Sequence, residues 1–170
     1  MDFFDVLSQR HSVREFSSRA VEERTLNKIL NAANTAPSAG NLQSYEIVVI
    51  RGPKQKAALA RAAFDQDFMT AAPAILVFCA DPAKSAAKYH RRGTELFCIQ
   101  DATIAASYAQ LAAAALGLGS VWVGAFDENL AARIVGGLKP ICILPIGYPG
   151  GTPDITSRRR LAELVHHEHL

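Results

Sequence analysis

The 170-residue chain is 49% hydrophobic and 20% charged, enough to bury one substantial core and too short for two ordinary domains, so residues 1–170 read as a single domain. Its net charge of +2, with acids and bases scattered, leaves no electrostatic case for binding nucleic acid or a membrane surface.

In chain order, Met1-Asp2-Phe3-Phe4-Asp5 carries acids where a signal peptide carries bases, and no long apolar stretch follows, which predicts a cytoplasmic protein. Residues 2–9 read as a short helix with Asp2 as N-cap and Phe3, Val6 and Leu7 on one stripe. The next segment, Arg10-His11-Ser12-Val13-Arg14-Glu15-Phe16, reads as extended. Side chains alternate there, so Arg10, Ser12 and Arg14 are expected to face together, with His11 and Val13 facing away. Two guanidinium forks and a hydroxyl suit a phosphate monoester. Read alone, the same segment is equally a basic surface strand with solvated arginines. From Val21 to about Thr35, Leu26, Ile29, Leu30 and Ala33 recur at helical spacing, and Glu22 and Glu23 complement the dipole of the first turn. Pro37 blocks continuation, and Ala36–Ser44 becomes a loop entering a strand over Tyr45–Ile50.

Arg51-Gly52-Pro53 turns the chain into a helix over roughly 53–63, followed by a short helical piece at 65–71 that Pro73 stops. Ala74–Ala80 is apolar throughout, which predicts a strand covered on both faces. Thr94 to Leu116 is the longest helical pattern and apolar around most of its circumference. Glu95, Gln100, Asp101 and Gln110 interrupt it too often for a lipid-exposed span. It reads as a central core or interface helix, with Asp101 a satisfied buried carboxylate. Gly117 and Gly119 end it, a strand follows over Ser120–Val123, and Asp127 caps a helix to about Val135 that Gly136-Gly137 closes. Pro140–Ile146 is a further strand, ending in Gly147-Tyr148-Pro149-Gly150-Gly151. Cys79, Cys98 and Cys142 are odd in number, lack C-x-x-C spacing and lie in apolar runs, so they read as reduced buried thiols. His166, His167 and His169 have no second ligand cluster and read as a solvated tail, so no metal site is expected. Gly117-Leu118-Gly119 ends a helix and precedes a strand, the reverse of a dinucleotide fingerprint. Alternating helices and apolar strands predict an α/β or α+β sandwich.

Taken together, R-x-S-x-R at Arg10–Arg14 and P-S-x-x-N-x-Q at Pro37–Gln43 resemble the FMN-dependent nitroreductase family, in its shorter members. The similarity continues through Ala72-Pro73, Ala80-Asp81-Pro82, Trp122–Phe126, Gly147-Tyr148-Pro149 and an arginine-rich tail. The resemblance implies an α+β fold with a mixed, mostly antiparallel sheet flanked by helices, and a C-terminal tail that extends the partner's sheet. It implies a homodimer with shared flavin sites, FMN as cofactor, NAD(P)H as reductant and a small-molecule electron acceptor such as a nitroaromatic or quinone.

The resemblance also assigns residues. Arg10, His11, Ser12 and Arg14 hold the cofactor's phosphate end, with Arg14 also placed to meet the charge that appears on reduction. Pro37, Ser38, Ala39, Asn41 and Gln66 line the ring, and Val123, Gly124 and Ala125 present backbone N–H at N5. The family's tail pattern is broken here by Thr156 and Arg160, so Arg158 is the matched phosphate contact with Arg159 and Arg160 as alternatives. The family loop's Pro-Trp is replaced by Ser44-Tyr45. No side chain is expected to act as nucleophile, because the flavin carries the chemistry. Larger relatives insert a lid between the second major strand and the central helix; here the interval Asp81–Gly93 is short, implying an open substrate side. Two other readings fit the same motifs: different flavin chemistry, such as dehalogenation or flavin breakdown, and a non-catalytic FMN-binding module for storage or sensing.

Overall fold

The computed structural model describes residues 2–169. Four strands form one sheet: β1 (Tyr45–Ile50), β2 (Ala74–Ala80), β3 (Gly119–Ser120) and β4 (Lys139–Gly147), in the order β1-β2-β4-β3. Neighbouring strands are antiparallel, and a parallel bridge from Ser12 to Ser120 sets the arginine segment beside β3. Around the sheet lie α1 (Phe3–Gln9), α2 (Glu23–Asn34), α3 (Pro53–Ala62), α4 (Phe68–Ala71), α5 (Pro82–Arg92), α6 (Cys98–Ala115) and α7 (Glu128–Val135). This is the expected α+β architecture.

Strand β2 is buried along its whole length because helices cover both of its faces. Successive side chains alternate, so Leu76 and Phe78 pack with Leu26, Ile29 and Ala106 beneath α2 and α6. Ile75, Val77 and Cys79 point the other way, into Leu59, Met69 and Ala131 beneath α3, α4 and α7. Strand β4 divides likewise, with Leu144 and Ile146 on the first face and Ile143 on the second. Each such side chain contributes about 1.5–3 kcal/mol on full burial, so the β2–β4 pair is the stiff centre of the molecule. Helix α6 crosses it with Ala102, Ala105, Ala106, Ala109 and Ala113 fully buried, small residues that let α2 and the sheet approach closely.

Local starts and stops follow their side chains. Asp2 and Asp5 form a reciprocal capping box at the start of α1. Asp127 accepts the Leu130 N–H at 2.8 Å to open α7, and Gly136 at φ 101° closes it. Burial raises the Cys79 thiol to about 11 and raises Cys142 further, so neither is a thiolate near neutral pH.

Three departures from expectation matter for the site. The short interval 81–93, for which no element was expected, is helix α5, started by Asp81, which accepts the Lys84 N–H at 3.0 Å, and by Pro82 in the first turn. It runs into a π-helical turn, Gly93–Phe97, so regular α-helix begins only at Cys98. The strand expected over Ser120–Val123 is confined to Gly119–Ser120, with Val123 rejoining the sheet through an isolated bridge to Ile143.

Candidate functional site

Loop Ala36–Ser44 is built around left-handed backbone, with Gly40 at φ 57°, Asn41 at 55° and Gln43 at 48°. Such conformations cost about 1–2 kcal/mol for a residue with a Cβ, so the surroundings must impose them. Asp101, 2% exposed in the first turn of α6, does so: its carboxylate accepts the Ala39 N–H at 2.9 Å and the Ser44 N–H at 3.3 Å. Ser38 Oγ accepts the Gln43 N–H at 2.9 Å, and the Gln43 amide donates to the Asn34 side chain at 2.8 Å. Asp101 is thus the satisfied carboxylate that the sequence predicts, and its role is to shape the loop. The Ser38 hydroxyl keeps its own donor, and Asn41 faces solvent. A groove of about 470 Å³ runs beside the loop, between Pro37, Ser38 and Ala39 on one side and Phe97, Ile99 and Ile104 on the other.

The arginine segment is held by backbone pairing. Val13 N–H donates to the Ser120 carbonyl at 3.0 Å, Ser17 N–H to Tyr148 at 2.9 Å, and Gly150 N–H to Glu15 at 2.8 Å. Val13 is buried while Arg14 is exposed, and neither Arg10 nor Arg14 has an ion-pair partner among the described residues. Arg10 is the C-cap of α1, its backbone extended and its N–H still bonded to Val6, and it lines a 260 Å³ cavity with His11 and Val13. Ser12 and Arg14 do come together, in a second cavity of 250 Å³. An exposed clasp pins the segment's exit: Tyr148 O–H donates to Glu22 at 2.8 Å, and Arg19, 3.8 Å over the Tyr148 ring, bonds Glu22 at 2.9 Å. The Arg19 hydrogen bond, with a further one from Tyr148, holds the Glu22 carboxyl down to about 2.

The third part is Val123-Gly124-Ala125. Val123 N–H is spent on the Ile143 carbonyl at 2.9 Å, whereas Gly124 and Ala125 are exposed and their N–H groups have no partner among the described residues. Gln66 joins this segment, donating to the Ala125 carbonyl at 3.3 Å. Trp122, half-buried, packs on the core. In the tail, Arg159 and Arg160 both bond Glu163, while Arg158 contacts only the carbonyls of Thr156 and Ser157.

The structure therefore sets the loop and the arginine segment at opposite ends of α6. Asp101 anchors loop 36–44 at its start, while Ala114 lines the cavity of Arg10 and His11 near its end. At 1.5 Å per residue the two anchors are about 20 Å apart. Sequence reasoning passed over a further cluster against the loop. A Cβ on Gly40 would lie 2.5 Å from Tyr89 Oη and 2.6 Å from Lys88 Nζ, so the end of α5 rests on the loop. The Tyr89 ring meets Phe97 edge-on at 5.0 Å, and the Arg92 guanidinium lies 5.2 Å from the Phe97 centroid. The run Lys88-Tyr89-His90-Arg91-Arg92 was the available signal.

Comparison with known proteins places the chain in a family. The Nitroreductase family model matches residues 7–66 and 60–148. An NADH dehydrogenase of Thermus thermophilus is 34% identical over 172 residues, covering 83% of this chain and 83% of that one. An oxygen-insensitive NADPH nitroreductase of Salmonella typhimurium is 28% identical over 174 residues, covering 96% of this chain and 72% of its own length. The solved structure of an FMN-dependent nitroreductase from Clostridium difficile superposes with a TM-score of 0.83 at 27% identity, over 98% of this chain and 99% of that one. With these matches spanning both ends of the site and the core between them, the chain belongs to the nitroreductase family.

Proposed function

We propose that this protein is an FMN-dependent oxidoreductase that takes hydride from NAD(P)H and reduces a small acceptor of the nitroaromatic or quinone class, as a homodimer with two shared flavin sites. The observation that carries the reading is the separation of the two residue groups by about 20 Å along α6. Within one subunit the loop and the arginines lie at opposite ends of α6, whereas a two-fold partner laid along α6 sets one subunit's loop against the other's arginines. The uncovered side of α6 supports this: Tyr108, Leu111 and Ala115 line an apolar groove with Phe3 and Val6, and Phe3 is 61% exposed. Tail residues Ile155 and Leu161 are 84% and 74% exposed, as expected of a segment that packs elsewhere.

The donor set fits FMN. Arg10 and Arg14 have no carboxylate partner among the described residues and, with His11 and Ser12, suit a phosphate. Arg158 is the tail arginine left without a carboxylate, and it joins them in this reading. Gly124 and Ala125 keep open N–H donors for N5, since Val123 N–H is taken; Gln66 fixes that turn through the Ala125 carbonyl. Pro37, Ser38, Ala39 and Asn41 border the ring with their backbone already shaped. Bound FMN supplies two-electron transfer between the nicotinamide and the acceptor. The protein's own part is to bind, orient and tune: Arg14 stabilises negative charge present only after reduction, and no side chain acts as nucleophile. In net terms NAD(P)H gives up a hydride and a quinone leaves as hydroquinone, the second proton coming from solvent.

Mixing two variants tests the shared site. Arg10→Ala and a disrupted Pro37–Asn41 loop should each lose FMN binding. After dissociation and reassociation, about half the dimers are mixed and roughly a quarter of all sites regain FMN. Verified mixed dimers that bind none would overturn the arrangement. In the wild type FMN should bind far more tightly than riboflavin, and equal affinity removes the phosphate role of Arg10, Ser12 and Arg14.

A further inference from the structure

We infer that the Lys88–Arg92 end of α5 selects an anionic aromatic acceptor, holding its ring against Phe97 and its charge between Lys88 and Arg92. The inference rests on the functional reading above and names the substrate class of that same site.

Four observations converge on it. First, the last turn of α5 carries Lys88, His90, Arg91 and Arg92 and no acid, so the end of α5 that rests on the loop is cationic. Second, the nearby carboxylates are already committed. Glu95 takes the Arg91 guanidinium at 2.9 Å through both oxygens, and Asp101 takes the amides of Ala39 and Ser44. Lys88 and Arg92 have no carboxylate within ion-pair distance among the described residues. Third, both cations are held beside aromatic surface, Lys88 Nζ 5.4 Å from the Tyr89 centroid and Arg92 5.2 Å from that of Phe97. Fourth, Phe97 itself lines the 470 Å³ groove that borders Pro37, Ser38 and Ala39, a volume in the range that takes a substituted ring.

The backbone sets this arrangement deliberately. His90 at φ 48° and ψ −130° kinks α5 in its last turn, and the π-helical turn from Gly93 brings Phe97 under Tyr89 and Arg92. Strained backbone at a ligand-facing edge is where sites store geometric constraint. Arg92, 5.2 Å from the Phe97 centroid, can fork onto a sulfonate or carboxylate carried by a ring held at Phe97, and Lys88, beside Gly40, adds a point charge. A neutral ring of the same shape keeps the stacking and loses the charge contact.

The test uses the intact FMN-loaded protein with 4-nitrobenzenesulfonate and the neutral 4-nitrobenzenesulfonamide as acceptors. The anion is expected to have about tenfold higher kcat/KM, a preference that shrinks with added salt because two exposed cations supply it. In the double variant Lys88→Ala/Arg92→Ala the ratio of anion to neutral kcat/KM should fall to about one, and in Lys88→Glu/Arg92→Glu it should fall below one. Calorimetric binding of benzenesulfonate, which cannot be reduced, should weaken by the same factor in the same variants. Anaerobic bleaching by NADH should be unaffected. A loss confined to the bleaching step would assign the cations to the reductant and overturn the inference, as would equal use of both acceptors whatever the charge of α5. A protein that binds no FMN, or reduces neither compound, fails the functional reading instead, which keeps the two failures apart.

Discussion

The two ends of the site are held by different physics. At the start of α6 a buried carboxylate gathers backbone N–H groups across 62 residues of sequence, and the loop it shapes includes three left-handed residues. At the other end, the arginine segment is an edge strand, fixed by backbone hydrogen bonds and by an exposed clasp of Arg19, Glu22 and Tyr148. A buried charge has no alternative partner once its own is lost, whereas exposed groups return to water. The loop should therefore break cooperatively with the core, and the arginine segment should loosen by degrees.

The largest effect is expected from Asp101→Ala. Hydrogen bonds to a charged acceptor contribute about 1.5–3 kcal/mol each, so removing both should cost about 3 kcal/mol. For a chain of this size that is a fall in melting temperature of roughly 6–12 °C, insensitive to added salt. A loss below about 1 kcal/mol in urea unfolding would show that the loop needs no anchor. Next comes Gly119→Ala, at the other end. A Cβ there would lie 2.6–2.7 Å from the Cβ and both methyls of buried Val13. A branched side chain on a paired backbone cannot swing clear, so the cost should be about 1–3 kcal/mol, as for other overpacked cores. The companion Gly119→Ala/Val13→Gly, which removes the Val13 Cβ as well as its methyls, should lose less than the sum of the two single variants. Additive losses would mean that the contact with Val13 is not what Gly119 protects.

How far the sequence revealed these two ends follows from the range of the forces involved. Strand β2 was legible because seven apolar residues in a row admit few other readings, and α7 because Asp127 and Gly136 mark both ends. The motif residues Arg10–Arg14 and Pro37–Asn41 were legible as local patterns. The pairing of Asp101 with Ala39 and Ser44 was not, because it depends on where α6 lies after folding. Helix α5 was passed over although Asp81-Pro82 announces it: Ala83, Ala86 and Ala87 give too faint an apolar stripe to stand out from a loop.

The smallest effect, and the sharpest probe of the contrast, is Glu22→Gln. Its hydrogen bonds to Arg19 and Tyr148 hold the Glu22 carboxyl at about 2, below the ordinary 4.5 of the unfolded chain. A depressed folded value favours the folded state when the carboxyl is ionised. The contribution is therefore fully present above pH 4.5 and is lost as the pH falls from there through about 2. Wild type should melt above Glu22→Gln near neutral pH, by less than either substitution above, since the clasp is exposed. That gap should close in about 1 M salt, where charges are screened within ~3 Å. It should also close as the pH is lowered toward 2. A gap unchanged by salt and acid would mean that Glu22 acts through packing, and the distinction between a buried anchor and an exposed clasp would fail at the arginine end. If the gap closes as expected, the arginine segment is the part of the site whose hold depends on solution conditions, and the salt sensitivity of FMN retention should follow it rather than the Asp101 loop.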